Sequence, residues 1–282
     1  MRRVVVVVLV LVLVAVAGLW LFHQRDRIQL PDLQTGCRVS TDEEVRLDHD
    51  QMANAATITA VGVTLDMPDR AVVVALATAL QESKLRNLPH LGSRNDHDSI
   101  GLFQQRPSQG WGSEAEISDP RYAAERFYLA LREVDGWQDM RVTDAAQRVQ
   151  RSAFPEAYQQ WAEDSEVLAA ALLGHVTGAV SCAVPNDPRQ RGEAAASALG
   201  DALAEDWGNQ TTTAWAETTR LSISADDPAT GWRYAHWLVA HAAGHGVTEV
   251  HFADQRWSAD VRGWSTTETA IDHVRAEVAP ES

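Results

Sequence analysis

The chain has 282 residues, 45% of them hydrophobic, and a net charge of −15. That length allows two modest domains, each with enough apolar residues for a core. The acidic balance, without a basic patch anywhere along the sequence, speaks against a nucleic-acid partner, which needs cations to meet phosphates.

The N-terminus opens with Arg2 and Arg3, followed by an unbroken apolar run from Val4 to Phe22. About 19 helical residues at ~1.5 Å each come close to the ~30 Å hydrocarbon layer of a bilayer. The two leading arginines favour a cytoplasmic N-terminus and a translocated remainder. Ala15-Val16-Ala17 also fits a signal-peptidase site, but Leu19 to Phe22 extend the run past it, which favours an uncleaved signal anchor. Residues 24–40, with Pro31 and Gly36, read as a linker.

Thr41-Asp42-Glu43-Glu44 has the chemistry of a helix cap and acidic first turn, and predicts a helix to about Val61. A second helix follows Asp66 and Pro68. Val72, Leu76, Ala79, Leu80 and Ser83 recur at helical spacing, and Glu82 stands near its C-terminus. The negative end of the helix and the apolar surroundings are both expected to raise the pKa of Glu82, as a general acid requires. A carboxylate near a helix end is by itself ordinary surface. Lys84, the only lysine in the chain, reads as genomic composition bias rather than chemistry.

A polar loop, Asn87 to Ser99, leads to Gly101-Leu102-Phe103-Gln104-Gln105. Asp119-Pro120 starts the next helix, Thr143 another, and Pro155 a third that runs to Leu173 and stops at Gly174. No convincing strand precedes residue 184, apart from room for a short hairpin in the loop.

Glu82-Ser83, Gly101-Leu102-Phe103-Gln104 and Ala157-Tyr158-Gln159 together resemble the lysozyme-like superfamily of soluble lytic transglycosylases and goose-type lysozymes. The familiar pattern there is Glu-Ser, then Gly-Leu-Met-Gln, then Ala-Tyr-Asn, so Gln159 departs from it. The resemblance implies a peptidoglycan glycan-strand enzyme with Glu82 as general acid/base. It implies sugar-contacting roles for Ser83, Gln104, Tyr158 and Phe103. Tyr158 is equally readable as a core residue; Trp111 and Phe103 are readable as faces that stack on sugars, and more readily as packing aromatics.

In the lytic route the substrate's own C6 hydroxyl attacks and one carboxylate suffices. In the hydrolytic route a second carboxylate positions water, and Asp96 and Asp98 are the candidates, although Asn95 to Ser99 is also ordinary turn chemistry. Cys37 and Cys182 bracket this region, and in an extracytoplasmic protein a disulfide closing it is the economical reading.

Pro185, Pro188 and Gly192 mark a boundary at 184–193. Beyond it, Ala194 to Trp207 and Trp232 to Ala243 read as helices and Val247 to Phe252 as a strand. The stretch from Trp237 through Trp257 to Trp264 resembles a small α/β module of actinobacterial wall proteins, similar to D-Ala-D-Ala carboxypeptidase-like folds. Its zinc ligands are not matched. Arg275 stands where the second histidine of the late motif belongs, and Ala216 to Arg220 holds no histidine. His236, His241, His245, His251 and His273 therefore read as surface or satisfied side chains, with no metal and no cofactor expected.

The expected fold is a mainly α lysozyme-like domain (41–183) and a small, non-catalytic α/β domain (194–282), behind one N-terminal transmembrane helix (1–23). The expected protein is single-pass in the cell membrane, with both domains outside and glycan strands as its partner. The alternative is a catalytically inactive lysozyme-like module for wall binding or assembly.

Overall fold

Cys37–Ser40 (β1) and Glu44–Leu47 (β2) form an antiparallel hairpin, in register Cys37 to Leu47 and Val39 to Val45. This corrects the expected helix start at Thr41. Buried Cys37, Val39, Val45 and Leu47 alternate with exposed neighbours, a period of two that outweighs the capping chemistry between them. The first helix, His49–Thr64 (α1), starts instead behind Asp48, which forms a capping box with Gln51.

The computed structural model describes residues 36–90, 98–184, 188, 190–208 and 213–281. The expected anchor, most of the 24–40 linker and Asp96 lie outside the described residues. Among the described residues no helix is long and apolar enough to cross a membrane.

Asp69–Ser83 (α2) is buried at every position from Ala71 to Leu80. A helix apolar all round must be enclosed, and this one is the central pillar of the N-terminal half. Its N-cap is Pro68, with no side-chain bond, and Asp66 lies in a left-handed turn before it. Around α2 stand Glu114–Ile117 (α3), Pro120–Arg132 (α4, capped by Asp119), Val142–Gln150 (α5) and Ala162–Leu172 (α6). The last helix begins later than Pro155 predicts, because Tyr158 turns inward and a 3-10 turn, Gln159–Trp161, intervenes.

Val180–Cys182 (β3) adds to the other edge of β1, so residues 36–184 contain a three-stranded sheet that their sequence does not announce. Cys37 and Cys182 are directly opposed across these strands and joined as a disulfide, with Cα atoms 4.0 Å apart.

The C-terminal part comprises Gly192–Trp207 (α7), Thr213–Glu217 (β4), Arg220–Ser224 (β5), Pro228–Ala240 (α8), Ala242–His245 (α9), Val247–Ser258 (β6) and Gly263–Val278 (β7). The strands form one antiparallel sheet in the order β4-β5-β7-β6. The fold is thus mixed α/β, with two small sheets.

Residues from 35 onward form one compact unit. Helix α8 is the hub between the halves. Its Gly231 lies so close to Phe252 of β6 that a Cβ would stand 1.9 Å from the ring, so only glycine fits there. Trp232 packs edge-on against Phe252 and Trp264, while the Trp264 indole N–H donates to the Val180 carbonyl and ties the two sheets together.

A buried polar cluster fastens the same junction. The Asp206 carboxylate of α7 accepts from Thr57 of α1 and from the Trp237 indole of α8, each at 2.7 Å, and pairs with Arg121 of α4 at 2.7 Å. A carboxylate with no exposed surface is tolerated because Oδ2 takes both hydrogen bonds and Oδ1 faces the arginine charge.

Candidate active site

Glu82 stands on the last turn of α2, half buried, where three segments meet: the helix end, the Gly101–Gln105 turn and the stretch 151–161. The helix is closed by two consecutive left-handed residues, Lys84 (φ 58°) and Leu85 (φ 57°). For residues with a Cβ this costs about 1–2 kcal/mol each. The cost is met by burial of Leu85 and by bonds back to Leu80 and Ala79. Side chains from α1 hold the reversed turn from outside, Gln51 on the Lys84 carbonyl and Asn54 on the Leu85 carbonyl. The backbone beside Glu82 is therefore fixed by contacts on both sides.

Ser83 is buried. Its hydroxyl lies 2.8 Å from the Leu102 carbonyl and 3.1 Å from that of Ala79. Its proton thus joins α2 to the glycine turn rather than being offered to a ligand. In that turn Gly101 has φ +75° and passes the Ile117 carbonyl so closely that a Cβ would stand 2.8 Å from it. Ile100 and Gln105 exchange backbone bonds, closing the turn as a small bridge. Gln104 also has a left-handed backbone, and its amide nitrogen donates to the Gly101 carbonyl at 3.1 Å. Phe103 is fully buried and stacks on Phe127 at 4.7 Å between centroids, so it packs the core and offers no face to a sugar.

Tyr158 is enclosed as well, but its hydroxyl reaches Glu82 and donates to Oε1 at 2.7 Å. Burial, and secondarily the Glu82 charge, push the phenol pKa up, so Tyr158 keeps its proton and acts as a standing donor. Gln159 is exposed, and its amide oxygen accepts from the Thr143 N–H at 3.4 Å. That is where the departure from the familiar asparagine has its place in this fold.

Asp98 has both oxygens engaged, by the Ser108 N–H and hydroxyl at 2.8 Å each. These bonds lower its pKa, the backbone one most. It is a turn-locking carboxylate. Trp111 is half buried, with its carbonyl accepting from Tyr122.

Three residues beside Glu82 carried no signal on their own in the sequence. Gln81 Oε1 accepts from the Trp161 indole N–H at 2.9 Å and from the Gln160 amide at 3.0 Å. The Lys84 ammonium sits 4.1 Å from the centroid of the Trp161 ring. The adjacency of Gln81 and Lys84 to Glu82 was the available clue; that Trp161 joins them depends on the chain returning 80 residues later.

The C-terminal histidines are mostly absorbed in structure. His236 is fully buried, with Nδ1 donating to the Ala171 carbonyl and Nε2 accepting from the Ala179 N–H. Burial pushes its pKa down to about 4. His241 stacks on Trp237, and burial lowers its pKa also. Among the described residues no group of three or more histidine, cysteine, aspartate or glutamate side chains is arranged to hold a metal ion.

No family model and no curated protein matches the chain.

Proposed function

We propose that the protein cleaves the glycan strands of peptidoglycan, with Glu82 as general acid and base. The observation that carries this reading is the Tyr158–Glu82 hydrogen bond, which closes a carboxylate between the helix end and the glycine turn that the motif resemblance singled out. With Tyr158 donating to Oε1, a proton on a neutral Glu82 belongs on Oε2, the oxygen left for the glycosidic bond. Oε2 would protonate the leaving oxygen as the C1–O bond breaks. It would then take the proton of the C6 hydroxyl as that oxygen bonds to C1, giving a 1,6-anhydro end. One carboxylate serves both steps. Asp98, with both oxygens tied to Ser108, supports this lytic route over activation of water by that residue.

In the same proposal, residues 1–23 anchor the protein in the cell membrane and place the rest outside. The Cys37–Cys182 disulfide supports an oxidising compartment.

The test is mass spectrometry of purified peptidoglycan incubated with the full-length protein in detergent. Anhydro-muropeptides support the lytic reading. Reducing ends would indicate hydrolysis. No product at all would favour an inactive wall-binding module and overturn the enzymatic reading.

A further inference from the structure

The only lysine of the chain stands two residues beyond Glu82, and its position is held. Its backbone is locked left-handed between α1 and α2. Its ammonium rests over the face of Trp161, and that indole is itself fastened by its N–H to Gln81, the residue before Glu82. Gln81, Glu82, Lys84 and Trp161 thus make a single wall, in which a cation seated on an aromatic face lies beside the general acid, on a molecule of net charge −15.

We infer that Lys84 selects glycan strands that bear a carboxylate next to the scissile linkage, by pairing with that carboxylate. This rests on the proposed role of Glu82 and names the substrate class of the same site.

The electrostatics of the wall support it. Partial burial lowers the Lys84 pKa, and the negative charge of Glu82 opposes that effect. A ligand carboxylate against this ammonium meets an opposite charge whose place is already set by the face of Trp161. A neutral strand leaves the ammonium with the ring of Trp161, the charge of Glu82 and solvent.

The carboxylate could belong to a sugar substituent or to a peptide attached to the strand, and the experiment separates the two. Binding by co-sedimentation and cleavage by product release are measured with the full-length protein on three glycan preparations. One is intact, one is stripped of peptide, and one has its carboxylates amidated. The proteins are wild type, Lys84→Met and Lys84→Arg. Methionine keeps an unbranched side chain over Trp161 without charge, and arginine keeps the charge.

For wild type, the preference for intact over amidated strands should be about tenfold in Kd and KM, in the range of one charge-assisted hydrogen bond. Lys84→Met should remove that preference, so that intact and amidated strands are held alike, and Lys84→Arg should keep most of it. Stripping the peptide hydrolyses its amide link and frees a carboxylate on the sugar itself. Stripped strands should therefore bind no better than amidated ones if the carboxylate read is on the peptide, and at least as well as intact ones if it is on the sugar. The inference is overturned if wild type does not distinguish intact from amidated strands, or if Lys84→Met weakens both alike. Preferential binding without cleavage would leave the selectivity standing and remove the enzymatic reading, so the two failures are separately visible.

Discussion

The Tyr158 hydroxyl donates to Oε1 of Glu82 at 2.7 Å, across 76 residues of sequence. The tyrosine ring is enclosed by the core, so the donor cannot swing away, and one carboxylate oxygen has a fixed partner before any ligand arrives. Such pre-set geometry is what a proton-transferring group requires, because positioning has then been settled during folding.

Replacing Glu82 tests the chemistry directly. Glu82→Gln keeps the shape and can still accept from Tyr158, but has no transferable proton. Release of muropeptides should fall about 10²–10⁴-fold with binding little changed. Undiminished cleavage would remove Glu82 from its role.

Tyr158→Phe removes only the hydroxyl. The rate should drop about tenfold or more through a misplaced Glu82 proton, while stability falls by about 1 kcal/mol for the lost bond. A variant that loses stability and retains full activity would make Tyr158 purely structural.

The disulfide closes a loop of 145 residues in sequence separation. In the chain-entropy model this restricts the denatured state by about 5 kcal/mol. Reduction, or Cys37→Ser with Cys182→Ser, should lower the thermal midpoint markedly. Two thiols titrating in unreduced, denatured protein would contradict the bond.

Acid should weaken the junction around α8. An unfolded histidine takes a proton near 6.5, whereas His236 does so only at about 4 because it is buried, an effect the bond to the Ala171 carbonyl opposes only in part. Its contribution is therefore complete above pH 6.5 and is lost as pH falls toward 4. The loss is on the order of 3 kcal/mol over that window. Urea midpoints measured across it should show a slope that His236→Gln flattens.

Asp206→Ala should be far more damaging than loss of a surface ion pair. It leaves the Thr57 hydroxyl and the Trp237 indole N–H without their shared acceptor, at about 1–3 kcal/mol for each orphaned donor, while Arg121 keeps Glu205 and Asp119. Chemical denaturation would show it. A change below about 1 kcal/mol would mean that solvent reaches the cluster and replaces the carboxylate.

Helix α2, the Asp119-Pro120 start of α4 and the Cys37–Cys182 bond were legible in the sequence, because each rests on a short-range signal or on simple pairing. Periodic apolar residues, a proline with fixed φ and two cysteines state their preference locally. The strands before residue 184 were not legible. Residues 41–44 carry helix-cap chemistry, yet they turn a hairpin because Val39 and Val45 gain more by facing one core together with Val180.

The wall beside Glu82 was hidden for the same reason. In the sequence, Glu82, the glycine turn and Tyr158 were grouped by resemblance. Tertiary structure alone decided that Phe103 is core, that Asp98 is held by Ser108, and that Trp161 comes back to seat Lys84. Each of these is a choice between burial and exposure for a side chain able to do either. The choice is made by partners distant in sequence, since what is gained on burial depends on which surface is there to meet.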